Sequence, residues 1–484
     1  MPILPLRFLP VAASLALLLG GCASLEQRLA DVKNAASITG PGHWSTSASA
    51  ISTVAPAPDT LAIWWQQFGD GHLDRLIEAA MTAAPDIRSA QARLRQARAS
   101  RDLAVANLYP SLGASAGATR SRTGSAVGGS GQSQTLYAAG FDASWEPSIF
   151  GGLRDAVDAA RAEAAASEAS LASTHASLAA EVALNYVALR ASQQRLAIVR
   201  ANVASQAETL QIAEWREMAG LVTRLDVEQA RTNLEQTRAA IPALETARAE
   251  AEHRLAVLTG RVPGSLRESL RETRPLPVAL EEIAVGIPAD TLRQRPDVRA
   301  AELTLVAEIA RTAEREAERY PSLALAGSLD WKSLSLSALG GSDTLVRSLA
   351  ANLAGPLFDG GRIRARIAVQ SAVQEQALVA WEKSLLTALE DVENAMTAYA
   401  NGRERVDARR KAAESAANAA GLARIQYQAG ASDFQNVLET ERTLLTSQDN
   451  LAAAEADVLT AVIQLYKALG GGWQSLAIEE EKAS

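Results

Sequence analysis

Tyr320-Pro321-Ser322-Leu323-Ala324-Leu325-Ala326-Gly327-Ser328-Leu329-Asp330-Trp331-Lys332 is the stretch on which the fold turns. A helical pattern gives way here to a period of two, which runs on to Pro356-Leu357-Phe358-Asp359-Gly360-Gly361. Leu323, Leu325, Gly327, Leu329 and Trp331 fall on one face, and Ser322, Ala324, Ala326, Ser328, Asp330 and Lys332 on the other. Apolar residues outward and polar residues inward is the pattern of a strand between lipid and water, although a half-exposed soluble sheet alternates in the same way. The spacing predicts a β-hairpin at about 320–356, and an earlier copy at about 109–147. That copy opens at Tyr109-Pro110-Ser111-Leu112 and closes at Trp145-Glu146-Pro147, with Tyr137, Ala139, Phe141, Ala143 and Trp145 alternating against Ala138, Gly140, Asp142, Ser144 and Glu146.

The duplication extends beyond the hairpins. Pro85-Asp86-Ile87-Arg88 recurs as Pro296-Asp297-Val298-Arg299, Ala219-Gly220 as Ala429-Gly430, and Gly260 as Gly470. Near-constant offsets imply two equivalent halves, each reading helix, hairpin, long helix, turn, helix. Leu153–Ala219 contains neither Gly nor Pro and can run as one helix, which at 1.5 Å per residue reaches about 100 Å. Arg362–Ala429 is its counterpart. Asp86–Leu108 is a shorter helix, and Leu221–Leu258 is another that Pro242 should kink. Leu or Val at 171, 178, 189, 196, 203 and 210 mixes steps of seven with one of eleven, which relaxes a left-handed supercoil; a plain coiled coil is the alternative. Each long helix is expected beside two short ones stacked end to end.

With 484 residues, 48% hydrophobic and only 4% aromatic, the composition suits an alanine-rich helical protein. A net charge of −8 without a basic block argues against a nucleic-acid partner. Four histidines (43, 72, 175 and 253) without ligand spacing, and the lack of a phosphate loop or nucleophile motif, argue against an enzyme, a metal site or a cofactor. A single cysteine excludes an intrachain disulfide.

That cysteine is Cys22. Arg7 and the short apolar run Val11–Leu19 read as a signal peptide over residues 1–21, and Leu19-Gly20-Gly21-Cys22 resembles a lipobox, so a covalent lipid on Cys22 is expected. An ordinary secretory signal with an incidental cysteine is the alternative. Ala23 and Ser24, with no aspartate following the cysteine, resemble the signature that sends a lipoprotein to the outer membrane. Residues 22–60, rich in Ser, Ala, Thr and Pro, read as a linker that wraps without a core of its own. The remaining divisions are a first repeat over 61–260, an equatorial connection over 261–295 with short extended structure near Leu276–Pro288, a second repeat over 296–471, and a tail over 472–484. Trp64 and Trp65 read as packing anchors.

Four strands from one chain leave unpaired edges that lipid does not tolerate, and they are too few to close a barrel, which takes about eight. Several chains must pool their strands. Sequence physics alone leaves the number of copies open.

Trp64-Trp65 with Phe68 and Asp70, Arg295-Pro296-Asp297-Val298, Gly355-Pro356-Leu357-Phe358-Asp359-Gly360-Gly361-Arg362 and the run Tyr427–Glu439 together resemble the TolC-like outer-membrane efflux proteins, in the lipidated branch that serves resistance-nodulation-division pumps. The resemblance covers Trp64 to about Gly471. It implies a mainly α protein with a membrane β part: a homotrimer whose four strands per chain form a 12-stranded β-barrel above a periplasmic α-helical tunnel. It also implies a periplasmic adaptor, an inner-membrane pump and outer-membrane lipid as partners, with the chain as the passive exit duct for drugs or other toxic small molecules. A metal-ion efflux channel of the same fold and a structural periplasmic lipoprotein are the alternatives.

The same resemblance places a periplasmic gate at the two helical turns. Gly220 and Gly430 reverse the chain, and Gln435 and Glu439 lie four residues apart on one face of the returning helix. A threefold ring of Glu439 would attract cations, whereas without the resemblance this is an ordinary solvated helix face. Asp433, Asn436, Tyr427 and Asp226 complete the expected gate. Asn436 stands where some relatives carry an acid, and Gln426 and Gln428 where some carry arginine, so the expected clasp joins Asp226 to Tyr427.

Overall fold

A computed structural model describes residues 25–35, 43–45, 51–52, 57–122, 124, 126, 132–277, 283–286 and 288–473. Cys22, the segment 1–21 read as a signal peptide and most of the expected tail lie outside the described residues. In chain order the elements are α1 (Leu25–Ala35), β1 (Ile51–Ser52), α2 (Pro58–Ala62), α3 (Gly71–Ala83), α4 (Pro85–Ala106), β2 (Ser111–Arg122), β3 (Ser133–Trp145), α5 (Gly152–Met218), α6 (Arg224–Arg238), α7 (Ala240–Leu258), β4 (Ile283–Ala284), α8 (Pro288–Gln294), α9 (Pro296–Ala317), β5 (Ser322–Ser333), β6 (Leu345–Ala354), α10 (Arg362–Gln428) and α11 (Phe434–Ala468).

The duplication is visible in the element lengths. α4 and α9 have 22 residues each, and α5 and α10 have 67 each. Pro85 and Pro296 stand at the first position of α4 and α9, where the missing N–H has no helical partner to lose. The long helices are started by side chains outside them. Ser148 Oγ accepts from Leu153 N at 3.1 Å, and Asp359 accepts from Gly361 N at 2.9 Å and Ile363 N at 2.7 Å. The halves differ after the turns: α11 runs unbroken, while its counterpart divides into α6 and α7 at Ala239. Pro242 accounts for the division, because it has no N–H to offer the carbonyl of Arg238, four residues back.

The chain forms two compact units that do not follow the repeats, since each takes part of both halves. In the first, residues 93–167 and 300–382 with α1, the strands form one antiparallel sheet in the order β2-β3-β5-β6. The two hairpins join through β3 and β5, with Phe141 opposite Leu329 and Trp145 opposite Leu325. Residues directly opposite share a face in an antiparallel pair, so the alternation continues across all four strands. Leu112, Phe141, Leu329 and Arg347 lie on one side, and Gly113, Asp142, Ser328 and Ser348 on the other. β2 and β6 are left as open edges. Leu112, Leu349 and Leu353 are 74%, 89% and 69% exposed, an apolar face that a protein folding alone in water would cover.

Glycine makes room for carboxylates on the polar face. A Cβ on Gly113 would stand 2.9 Å from Asp142 Oδ2, and one on Gly140 would meet the Asp330 carboxylate and stand 2.6 Å from the Leu329 carbonyl. Where β3 and β5 meet the helices, Trp145 Nε1 donates to the Leu108 carbonyl at 2.9 Å and Phe150 stacks on Tyr320 with ring centres 5.0 Å apart. α1 docks here through cations: Arg28 pairs with Glu316 at 3.0 Å, and Lys33 pairs with Glu302 and lies 5.5 Å over the Trp381 ring. Asp155 is pushed up to about 6 by partial burial, against the pull of Arg28 and with Asp158, Glu314 and Glu316 adding repulsion.

The second unit, residues 39–92, 168–299 and 383–484, holds the main core. Trp64 is fully buried there, stacked on Tyr466 at 5.4 Å and met edge-on by Trp65 and Phe68 at 5.9 Å, which makes the tryptophan pair packing anchors. Leu178, Leu189 and Leu196 of the expected seam are buried in α5. Gly402 lets α10 approach α11, since a Cβ there would stand 3.0 Å from Val458 Cγ2. The extended structure expected near 276–288 is β4, which pairs in parallel with β1, Ile51 opposite Ile283. Trp44 Nε1 donates to the Gly286 carbonyl at 2.9 Å, a second tie to this connection. No described helix is long and apolar enough to cross a membrane.

Candidate functional site

The two turns are built alike. Gly220 and Gly430 have φ of +71° and +75°, the left-handed conformation that glycine adopts without a Cβ clash. In the first turn Leu221 N donates to Arg216 O at 2.8 Å and Gly220 N to Glu217 O at 2.8 Å. In the second, Ala431 N donates to Gln426 O at 2.8 Å and Gly430 N to Tyr427 O at 2.9 Å. Both close their helix with the same pair of bonds, which satisfies carbonyls that the helix end would otherwise strand.

Beneath the turns lies a small apolar cluster: Ala213, Val227, Ala230, Ala423, Tyr427, Phe434, Val437 and Leu438. Within it the Tyr427 ring lies 5.3 Å from that of Phe434. The Arg216 guanidinium lies 4.5 Å over the Tyr427 ring and donates to the Tyr427 carbonyl. Burial pushes the Tyr427 phenol up, with Arg216 pulling the other way, and its hydroxyl has no partner among the described residues.

The expected joining of Asp226 to Tyr427 does not occur within the chain. Asp226 Oδ2 accepts from Thr223 N at 2.9 Å and Thr223 Oγ1 at 2.8 Å, which caps α6. The arginine that Gln426 and Gln428 do not supply comes from the other half of the repeat, as Arg216. Gln435 donates to Gln229 Oε1 on α6 at 2.6 Å, and Asn436 to Ser432 Oγ at 3.1 Å. Glu439 and Asp433 are exposed, and Glu439 has no ion pair among the described residues.

A buried carboxylate escapes the sequence reading. Glu441 is 2% exposed, accepts from Thr209 Oγ1 at 2.7 Å and lies 3.5 Å from Arg424, which also donates to Ser205. Burial pushes the Glu441 carboxyl up, while Thr209 and Arg424 hold it down. Nearby on the same helices, Asn202 Nδ2 donates to Gln448 Oε1 at 2.9 Å and Arg195 pairs with Asp449 at 2.6 Å. Polar groups thus tie α5 to α10 and α11 behind the turns. His175 packs its Nδ1 3.1 Å from Met81 Sδ and His253 is exposed, so both are ordinary helix-face residues.

Comparison with known proteins agrees with this architecture. The family model described as "Outer membrane efflux protein" matches residues 76–261 and 287–471, the two halves of the repeat. The pyoverdine export outer membrane protein OpmQ of Pseudomonas aeruginosa is 34% identical over 472 residues, 96% of each chain. The toluene efflux pump outer membrane protein TtgI of Pseudomonas putida is 30% identical over 84% of this chain and 86% of its own. Among solved structures, the outer-membrane channel OprN is 32% identical and superposes with a TM-score of 0.84 over 90% of this chain and 98% of its own. The chain belongs to the outer membrane efflux protein family.

Proposed function

We propose that this chain is the outer-membrane exit duct of a tripartite efflux system, conducting small toxic molecules passively from a periplasmic helical tunnel through a β-barrel. The observation that carries the reading is the open four-stranded sheet, apolar on one face, polar on the other, with β2 and β6 unpaired. Such a sheet is at home in lipid only when copies join edge to edge and close. Three copies give about 12 strands, enough to surround an aqueous path. A periplasmic adaptor and an inner-membrane resistance-nodulation-division pump are the expected partners, because a passive duct needs an energised supplier. A lipid on Cys22 would anchor each chain at the membrane beside its α1.

The turns form the gate in this account. Glu439, exposed and unpaired, is free to face its copies across a threefold axis, where like charges would collect cations. Arg216 on Tyr427 is the mechanical part, pinning the end of α10 against α5. Purified protein in a planar lipid bilayer should show discrete conductance steps, small at rest. A preparation that folds and inserts yet never conducts would rule out the duct.

A further inference from the structure

The apolar face of the sheet carries three charged side chains, and all three are arginines. Arg120 and Arg122 on β2 stand opposite Thr135 and Ser133, and Arg347 on β6 stands opposite Leu329, which puts them on the face of Tyr137, Phe141 and Trp331. The strand carboxylates Asp142 and Asp330, with Lys332, occupy the polar face. The three arginines are exposed, and none has an ion pair among the described residues. All three lie toward the hairpin ends remote from the helices.

Their level on the sheet is marked by aromatics. On the same face Tyr137, opposite Ala118, lies between Arg120 and the leucine-rich part of the sheet, and Trp331, opposite Leu345, lies one same-face pair beyond Arg347 toward the hairpin end. Tyr and Trp on a lipid-facing strand mark the boundary between hydrocarbon and headgroups. An arginine at mid-bilayer is costly, whereas at this boundary its aliphatic stem lies on apolar surface and its guanidinium reaches the headgroups. Their position across the sheet is equally uneven: Arg120 and Arg122 are on one open edge strand, Arg347 on the other. Edge-to-edge closure would bring all three to the same end of each seam.

We infer that each seam is a binding site for the phosphate groups of lipid A in the outer leaflet, with Arg120 and Arg122 of one copy and Arg347 of the next as its cationic walls. The inference rests on the barrel reading above. A planar guanidinium matches phosphate with two parallel hydrogen bonds, and an excess of cations without carboxylates selects an anion. Leu349 and Leu353 on β6, on the same face and nearer the helices than Arg347, would receive the acyl chains, so one lipid would bridge two subunits and brace the seam.

The test uses the full-length protein, delipidated in detergent and titrated with bisphosphorylated lipid A, with native mass spectrometry counting bound lipid and thermal melting following the oligomer. Wild type should bind one lipid A per seam and melt at higher temperature with it, while dephosphorylated lipid A and inorganic phosphate at the same concentration should do neither. Arg120→Gln/Arg122→Gln/Arg347→Gln should bind at least roughly tenfold more weakly, the scale of one lost charge-assisted bond, while still conducting. Should the triple variant not assemble, Arg347→Gln alone should weaken binding severalfold and Arg347→Lys restore part of it. A conducting variant with wild-type affinity, or equal binding of dephosphorylated lipid A, overturns the site and leaves the duct intact. A wild-type chain that stays monomeric overturns both.

Discussion

Arg216→Ala should loosen the gate without unfolding the protein. Among the described residues the side chain holds Tyr427 in two ways: the guanidinium lies 4.5 Å over the ring, and it donates a hydrogen bond to the carbonyl. A partly exposed cation–π contact contributes about 1 kcal/mol. A hydrogen bond from a charged donor contributes about 1.5–3 kcal/mol, here at the low end because water can reach the half-buried carbonyl once the arginine is gone. A net loss of about 2 kcal/mol shifts the closed-to-open ratio roughly 30-fold per chain. The assay is resting open probability in single-channel recordings, with melting temperature measured alongside. Tyr427→Phe is the control, since it deletes a hydroxyl that has no partner among the described residues, and resting conductance should stay within about twofold of wild type. If Arg216→Ala leaves resting conductance unchanged, Arg216 only decorates the turn, and the clasp must lie in contacts between copies.

Gly140→Val should block oligomer assembly, because its side chain would displace the Asp330 carboxylate and crowd the Leu329 carbonyl; heat-resistant oligomer at wild-type yield on a gel would contradict that. Asp155→Asn should raise melting temperature at neutral pH and lose that advantage toward pH 4. The folded-state pKa of about 6 lies above the ordinary 3.8, so wild type loses stability as pH rises through that window and carries the full penalty above it. An advantage that does not change with pH would exclude this cause. Glu439→Ala should weaken block by multivalent cations and reduce cation preference; unchanged block and selectivity would make Glu439 a plain solvated position.

Most of the fold was legible because its signals are periodic. Two long helices, the first free of Gly and Pro and the second interrupted only by Gly402 and Gly421, two alternating hairpins and four glycine turns at a constant offset each follow from local chemistry, and their boundaries fall within a residue or two of those expected. What escaped depends on partners distant in sequence. α1 forms in a stretch read as linker because Arg28 and Lys33 find Glu316 and Glu302 almost three hundred residues away. Pro242 announced a disturbance, but the break falls where the proline withholds its bond, at Ala239. The candidate site was legible in its turns and not in its contacts. Searching the second turn for an arginine missed Arg216, which comes from the first; comparing the two turns as one structure would have found it. Glu441 sits in Glu439-Thr440-Glu441-Arg442, a run that reads as solvated, and only packing reveals that one of its two carboxylates is buried against Thr209.

The central claim is that β2 and β6 cannot remain open edges. Analytical ultracentrifugation of the detergent-solubilised protein tests it most directly, with bound detergent matched out. The account predicts a single species with the protein mass of three chains and none at one chain. A stable, folded monomer at working concentration would contradict it, because an open sheet of four strands would then be satisfied alone.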